Sequence, residues 1–469
     1  MTSLIDLSAA ELGPLYARRA VSPREVIDAV IAQIETCEPL VQALYAFDAD
    51  GARAAADRST VRWMRDEARG PLDGVPVTIK ENIATQGVPV PLGCAATELT
   101  PATADAPPAQ RLRDAGAVIF AKTTMPDLGM LTSGLSSFHP LARNPWNLDR
   151  NPGGSSAGAA AAGAVGYGPL HLGTDIGGSV RLPAAFCGLV GLKPSHGRVP
   201  IDPAYLGRIA GPLTRTVADT ALMMATIAQP DWRDPTELPP SGIDWRQATV
   251  GTEGAVRGLR VGLMEEAGAG LPVAPAVAAA LQETAAMLRE AGAEIVPVRP
   301  ILTRAMLDGL DDFWRVRAWD DVSKLPAERR ALILPYIRQW AESGAARSGL
   351  EVMRGYNQTH AMRIAGARLF HDLDFVLSPT CPVVAWGAEL ASPVHDPEEP
   401  FEHIGFTVAW NMAENPAVSV NWSYDPDGMP IGMQVAGRRF DDLGVLRVAH
   451  LIETRRPAQR PWPTTPHRA

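Results

Sequence analysis

Between Asn144 and His196 the chain reads NPWNLDRNPGGSSAGAAAAGAVGYGPLHLGTDIGGSVRLPAAFCGLVGLKPSH, and no other stretch constrains the fold so strongly. This density of glycine and serine exceeds any packing preference and marks backbone that must approach something closely. Two turns stand out, Gly153-Gly154-Ser155-Ser156 and Gly177-Gly178-Ser179. Glycines ahead of a hydroxyl let main-chain N–H groups converge on one atom, which suits either a phosphate or the oxyanion of acyl transfer. Residues 152–174 hold no Lys, Arg, Asp or Glu, and on length alone would pass for a membrane span. Their Gly, Ser and Ala content, with few large aliphatics, predicts instead a loop and helix packed inside protein.

Phosphate binding fits poorly. Neither turn continues as Gly-Lys-Ser/Thr, and no G-x-G-x-x-G opens a helix after a strand. Gly154-Ser155-Ser156-Ala157-Gly158 formally matches the G-x-S-x-G nucleophile elbow, but that elbow needs a strand directly before it. Residues 144–152 carry two prolines and several polar side chains, so the context fails.

The segment resembles the amidase signature: a GGSSGG turn, then GTDxGGSxRxPA, then an apolar run ending in GLKP. Here these are Gly153 to Gly158, with Ala157 the one departure from glycine, then Gly173 to Ala184, then Gly191-Leu192-Lys193-Pro194. Upstream, Gly74-Val75-Pro76-Val77-Thr78-Ile79-Lys80-Glu81-Asn82 resembles the family's lysine-bearing strand. Downstream, Leu377-Ser378-Pro379-Thr380 and Pro430-Ile431-Gly432-Met433-Gln434 resemble its later landmarks.

The resemblance implies that Ser179 is the acyl-forming nucleophile, Ser155 the bridging serine, preceded by a cis peptide bond, and Lys80 the terminal base. A serine hydroxyl attacks an amide only if relieved of its proton, and a lysine can accept that proton only when neutral. Burial disfavours the ammonium form, so a lysine ending an apolar strand is a credible base. The N–H groups of Ile176, Gly177, Gly178 and Ser179 would form the oxyanion hole. Asp175 and Arg181 read as a structural tie. Ser156 either assists the leaving group or caps the Ala-rich helix that follows. His171 and His196 lie near the motif and suggest a Ser-His-Asp triad, but the family pattern already supplies a base. Met125, Met130, Trp146 and Trp410 are candidates for an apolar pocket, although core packing is their commoner use.

The implied fold is α/β, one domain over 1–469 with a mixed, twisted central sheet covered by helices on both faces. Its parts are an N-terminal helical region over about 1–65, the signature core over about 66–225 and the remaining α/β core over about 256–460. The residues agree. Ser22-Pro23-Arg24-Glu25 is a capping box with proline at the first helical position, followed by an apolar face of Val26, Ile27, Val30, Ile31 and Ile34. Strands are expected over 75–79, 117–121, 375–377, 417–420 and 431–435, a βαβ unit over 259–298, and a closing helix from about 441 to 453. The Pro-rich stretch 230–244 reads as a surface connection.

A formal charge of −9, with no dense Lys/Arg stripe, argues against nucleic acid as a partner. The four cysteines form no C-x-x-C pair and read as reduced core thiols, which fits the cytoplasm. The first residues lack a basic n-region, so the mature chain is expected to start near Met1 with no secretory signal. The expected activity is an amidase that cuts the C–N bond of a small aliphatic or aryl carboxamide, with no metal or organic cofactor. The expected partners are that substrate and, at most, a second copy of the chain. The alternative is the glutaminase component of a tRNA-dependent amidotransferase, which shares the signature but works inside a complex; the segment Thr132 to His139 is unlike the amidotransferase pattern. An inactive scaffold is disfavoured by the intact Lys80, Ser155 and Ser179. The substrate pocket is expected to draw on the region 300–355.

Overall fold

The computed structural model describes residues 3–467, so Met1 lies outside it. Capping chemistry sets the start of several of its helices. The Ser22 hydroxyl accepts the Glu25 N–H at 3.2 Å while the Glu25 carboxylate accepts the Ser22 N–H at 2.8 Å, starting the helix Pro23–Val41. Val26, Ile27, Val30, Ile31 and Ile34 are all buried on one side of it.

Among the described residues, eleven strands form one mixed sheet. They are β1 (Leu44–Tyr45), β2 (Pro76–Lys80), β3 (Val118–Thr123), β4 (Leu170–Asp175), β5 (Val190–Lys193), β6 (Ile209–Thr214), β7 (Arg260–Leu263), β8 (Glu294–Pro297), β9 (Phe375–Pro379), β10 (Ala417–Tyr424) and β11 (Pro430–Gly437). Their order is β1-β3-β2-β4-β6-β5-β10-β11-β9-β7-β8. Parallel pairs flank β2 and join β9, β7 and β8, while the middle from β4 to β9 is antiparallel. The expected βαβ unit is β7, the helix Pro275–Glu290 and β8. The stretch 230–244 contains no helix or strand, and Trp232 stands exposed on it.

Both faces of β2 are buried, so its alternation separates two cores. Val77 and Ile79 join Leu170 and Leu172 in a cluster completed by the helices Ala9–Ala17, Val217–Ile227, Pro275–Glu290 and Asp442–Arg455. Thr78 and Lys80 take the opposite face, where the wholly buried helix Ala157–Val165 packs across β2, β3, β4 and β6. The charge-free run 152–174 is therefore a loop, that interior helix and most of β4. No helix among the described residues is long and apolar enough to cross a membrane. Cys37, Cys94, Cys187 and Cys381 are free and buried.

Candidate active site

The face alternation of β2 brings Lys80 to the N-terminal end of the helix Ala157–Val165, where the first glycine-serine turn lies. Lys80 is wholly buried; its Nζ donates to Ser155 Oγ at 2.8 Å and to Thr174 Oγ1 at 2.9 Å. Burial, reinforced by the Arg208 guanidinium, holds this amine well below the ordinary lysine range, with Asp175 and Glu81 opposing. Thr174 Oγ1 also accepts Asn82 Nδ2 at 3.1 Å, so the end of β4 and the residues after β2 hold the ammonium or amine between them.

The turn is clamped by neighbours on both sides. Gly153 has φ +81°, and a Cβ there would collide with Pro183 Cα, so only glycine fits. The Gly154–Ser155 peptide bond is cis. The Ser156 N–H donates to the Ser179 carbonyl at 3.2 Å, tying the first turn to the second. Ser156 occupies the N-cap position, yet its hydroxyl caps nothing: it donates to the Thr174 carbonyl at 3.2 Å and accepts the Thr174 N–H at 3.3 Å.

The second turn is organised by Asp175. Its carboxylate accepts the N–H groups of Gly178 (2.7 Å) and Val180 (3.1 Å), Arg181 Nε (3.0 Å) and Asn411 Nδ2 (2.9 Å). Burial pushes this carboxyl upward, but the Arg181 cation and the Asn411 bond outweigh it and hold it well below the usual range. Arg181 also donates to Gln434 Oε1 at 2.7 Å and to Asn411 Oδ1 at 2.6 Å. The expected structural tie is thus a buried ion pair anchored to β11 and to the helix Gly405–Met412. One expectation changes: the Gly178 N–H is committed to Asp175 and is not a free oxyanion donor. Ile176 and Gly177 line the open cavity with Ser179 and Ser155.

The cavity's far wall comes from distant segments: Met130 and Leu131 on one side, Trp314 and Arg317 of the helix Arg304–Ser323, and Phe401 and Ile404. The region 300–355 does contribute, through a helix. Met125, Trp146 and Trp410 are core residues; Trp146 donates to the Cys187 carbonyl at 2.9 Å, and Trp410 packs against Phe370. His171 is buried between Thr78 Oγ1 and the Gly168 carbonyl, and burial lowers it to about 3. Neither it nor His196 lines the cavity. His403 does line it, with neither ring nitrogen hydrogen-bonded to any of the described residues. Thr174 and Asn82 sit within the signature motifs and could have been singled out as polar neighbours of a buried lysine. Tyr205, Arg317 and His403 carry no local signal that could have found them.

A family model described as Amidase matches residues 25–446. The chain is 33% identical to an acylamidase of Rhodococcus erythropolis, covering 97% of this chain and 96% of that protein. It is 34% identical to a glutamyl-tRNA(Gln) amidotransferase subunit of Roseiflexus castenholzii (strain DSM 13941 / HLO8), covering 96% and 95%. The crystal structure of a bacterial aryl acylamidase of the amidase signature family superposes with a TM-score of 0.87 at 29% identity, covering 96% of each chain. Signature turns, buried lysine, mixed sheet and near full-length likeness agree, and the chain belongs to the amidase signature family.

Proposed function

We propose that the protein hydrolyses the C–N bond of small aliphatic or aryl amides through a Ser179 acyl-enzyme. The observation that carries this reading is the 2.8 Å contact from a wholly buried Lys80 to Ser155, at a cavity that Ser179 shares. Neutral Lys80 takes the Ser155 proton as Ser155 takes that of Ser179, whose oxygen attacks the amide carbon. The oxyanion meets the N–H groups of Ile176, Gly177 and Ser179. The relay then returns a proton to the leaving nitrogen, ammonia or amine departs, and water attacks the ester by the same route in reverse. Asp175 and Arg181 hold the second turn in shape. Ser156 serves the site by fixing the Thr174 backbone, which presents the Thr174 hydroxyl to Lys80.

A second reading, the glutaminase component of an amidotransferase, is favoured by the 34% identity to the glutamyl-tRNA(Gln) amidotransferase relative over nearly the whole chain. It requires partner proteins and restricts the substrate to glutamine. The two separate on ammonia release by the purified chain across aliphatic amides, aryl amides and glutamine, with Ser179→Ala as control. Release from simple amides supports the independent amidase; release from glutamine alone supports the amidotransferase reading. Release undiminished in Ser179→Ala removes both. We also propose that the chain acts as one domain in the cytoplasm, without nucleic acid or membrane; sedimentation would show whether it works as a monomer or homodimer.

A further inference from the structure

Two guanidinium groups flank one ring at the cavity. Arg317 lies with its guanidinium 4.0 Å from the Tyr205 ring centroid, and Arg208 lies 5.1 Å from the same ring. Arg208 directs its two terminal nitrogens to the Pro203 and Asn82 carbonyls, at 2.6 and 3.0 Å, and its buried Nε has no partner among the described residues. Neither guanidinium has a carboxylate within 4.0 Å among the described residues. Two cations this close repel each other, and cations in protein are ordinarily paired. Arg317 and Tyr205 both line the cavity that holds Ser155 and Ser179. Stacking on the ring fixes the plane of the guanidinium and leaves its N–H edge to be matched by a planar, two-oxygen acceptor. Asp321, one turn along the same helix, also lines the cavity, but it is 71% exposed and paired with Lys324 at 3.9 Å rather than with Arg317. Trp314, three residues before Arg317 on the same helix, and Ile404 face Gly177, two residues before Ser179, and Phe401 packs edge-on to Trp314.

We propose that the amide substrate carries a carboxylate, that Arg317 receives it, and that a short apolar spacer lies against Trp314 and Ile404 between the carboxylate and the scissile amide. The proposal rests on the amidase reading above and narrows it to half-amides of dicarboxylic acids and related anionic amides. Glutamine has such a carboxylate too, so the subsite is compatible with either assignment.

The test compares three amides of one chain length: the half-amide of a dicarboxylic acid, the neutral alkyl amide and the ω-amino amide. The half-amide is expected to exceed the neutral amide in kcat/KM by about tenfold or more, chiefly through KM, and the ω-amino amide to be poorest. Arg317→Gln should bring the half-amide to neutral ratio toward one, and Arg317→Lys should keep part of it. Equal kcat/KM in the wild type, or a preference that survives Arg317→Gln, would overturn the subsite. Calorimetric binding of the same three amides to Ser179→Ala and to Ser179→Ala/Arg317→Gln reads the subsite without turnover. If no amide were hydrolysed, the amidase reading would fail while the binding ratio still decided the role of Arg317. Should Arg317→Gln fail to fold, the wild-type and Arg317→Lys ratios decide it.

Discussion

A buried lysine with two hydroxyl acceptors and no carboxylate partner is suited to work as a base, because its environment opposes the ammonium form. Activity should therefore rise with pH through the lowered pKa of Lys80 and be fully present well below the ordinary lysine value of 10.5. Arg208 is the neighbouring cation that helps expel the proton. Arg208→Gln should let Lys80 hold its proton to higher pH, moving the acid limb of kcat/KM upward; an unmoved limb, or one displaced downward, would remove Arg208 from this role. Lys80→Ala should fold, with activity down by roughly a hundredfold to ten-thousandfold. At this scale the meeting of Lys80 with Ser155, and of Ser155 with Ser179 at one cavity, was legible, since all three fall in motifs that the family resemblance marks. The commitment of the Gly178 N–H to Asp175 was not legible, because a backbone donor leaves no mark in a sequence. Nor was the position of the Ser156 hydroxyl, since serine at an N-cap ordinarily bonds forward into its helix.

At the scale of elements, the first turn works because the helix Arg181–Cys187 presses against it. Gly153→Ala places a methyl group onto Pro183 Cα at a backbone conformation that disfavours side chains. A loss of about 1 to 3 kcal/mol in urea denaturation is expected, with kcat falling as the turn shifts. Wild-type stability and kcat would show that the turn tolerates displacement. The sequence disclosed elements best where local chemistry sets their limits. The helix Pro23–Val41 begins at its capping box, and β9, β10 and β11 contain the short apolar segments 375–377, 417–420 and 431–435 that the sequence suggests as strands. Strands β4, β5 and β6 were hidden, for they lie in the middle of the sheet, buried on both faces, and are built partly from glycine, threonine and proline. Their strand character comes from neighbours in the sheet rather than from alternation. The helix Arg304–Ser323 was seen only as a region, because its charged residues blur its apolar stripe.

Across the whole molecule, the buried pair Asp175–Arg181 joins the signature core to Gln434 on β11 and Asn411 on the helix Gly405–Met412. Arg181→Met leaves the Asp175 carboxylate buried without its cation and should cost about 3 to 5 kcal/mol of folding stability, measured by chemical denaturation. A loss under about 1 kcal/mol would show the tie to be dispensable. A second global property concerns His403, buried edge-on to Trp386 and lowered by burial from 6.5 to about 3. Between those values the unfolded chain binds a proton that the folded chain refuses, so this histidine removes stability as pH falls through that window. Relative to His403→Phe, the wild type should lose up to about 1.4 kcal/mol per pH unit there, and parallel stability curves for the two proteins would contradict it. None of these long-range contacts was readable from spacing, because residues such as Trp314, Ile404 and Gln434 meet the signature only after the sheet is assembled. The central claim, that this assembly serves one nucleophilic oxygen, is tested most directly by trapping it. The chain is treated with phenylmethanesulfonyl fluoride and the modified peptide located by mass spectrometry. The account predicts one adduct, on Ser179, with loss of amide turnover in step with labelling. An adduct on Ser155 or Ser156 instead, or full labelling of Ser179 with turnover intact, would contradict it.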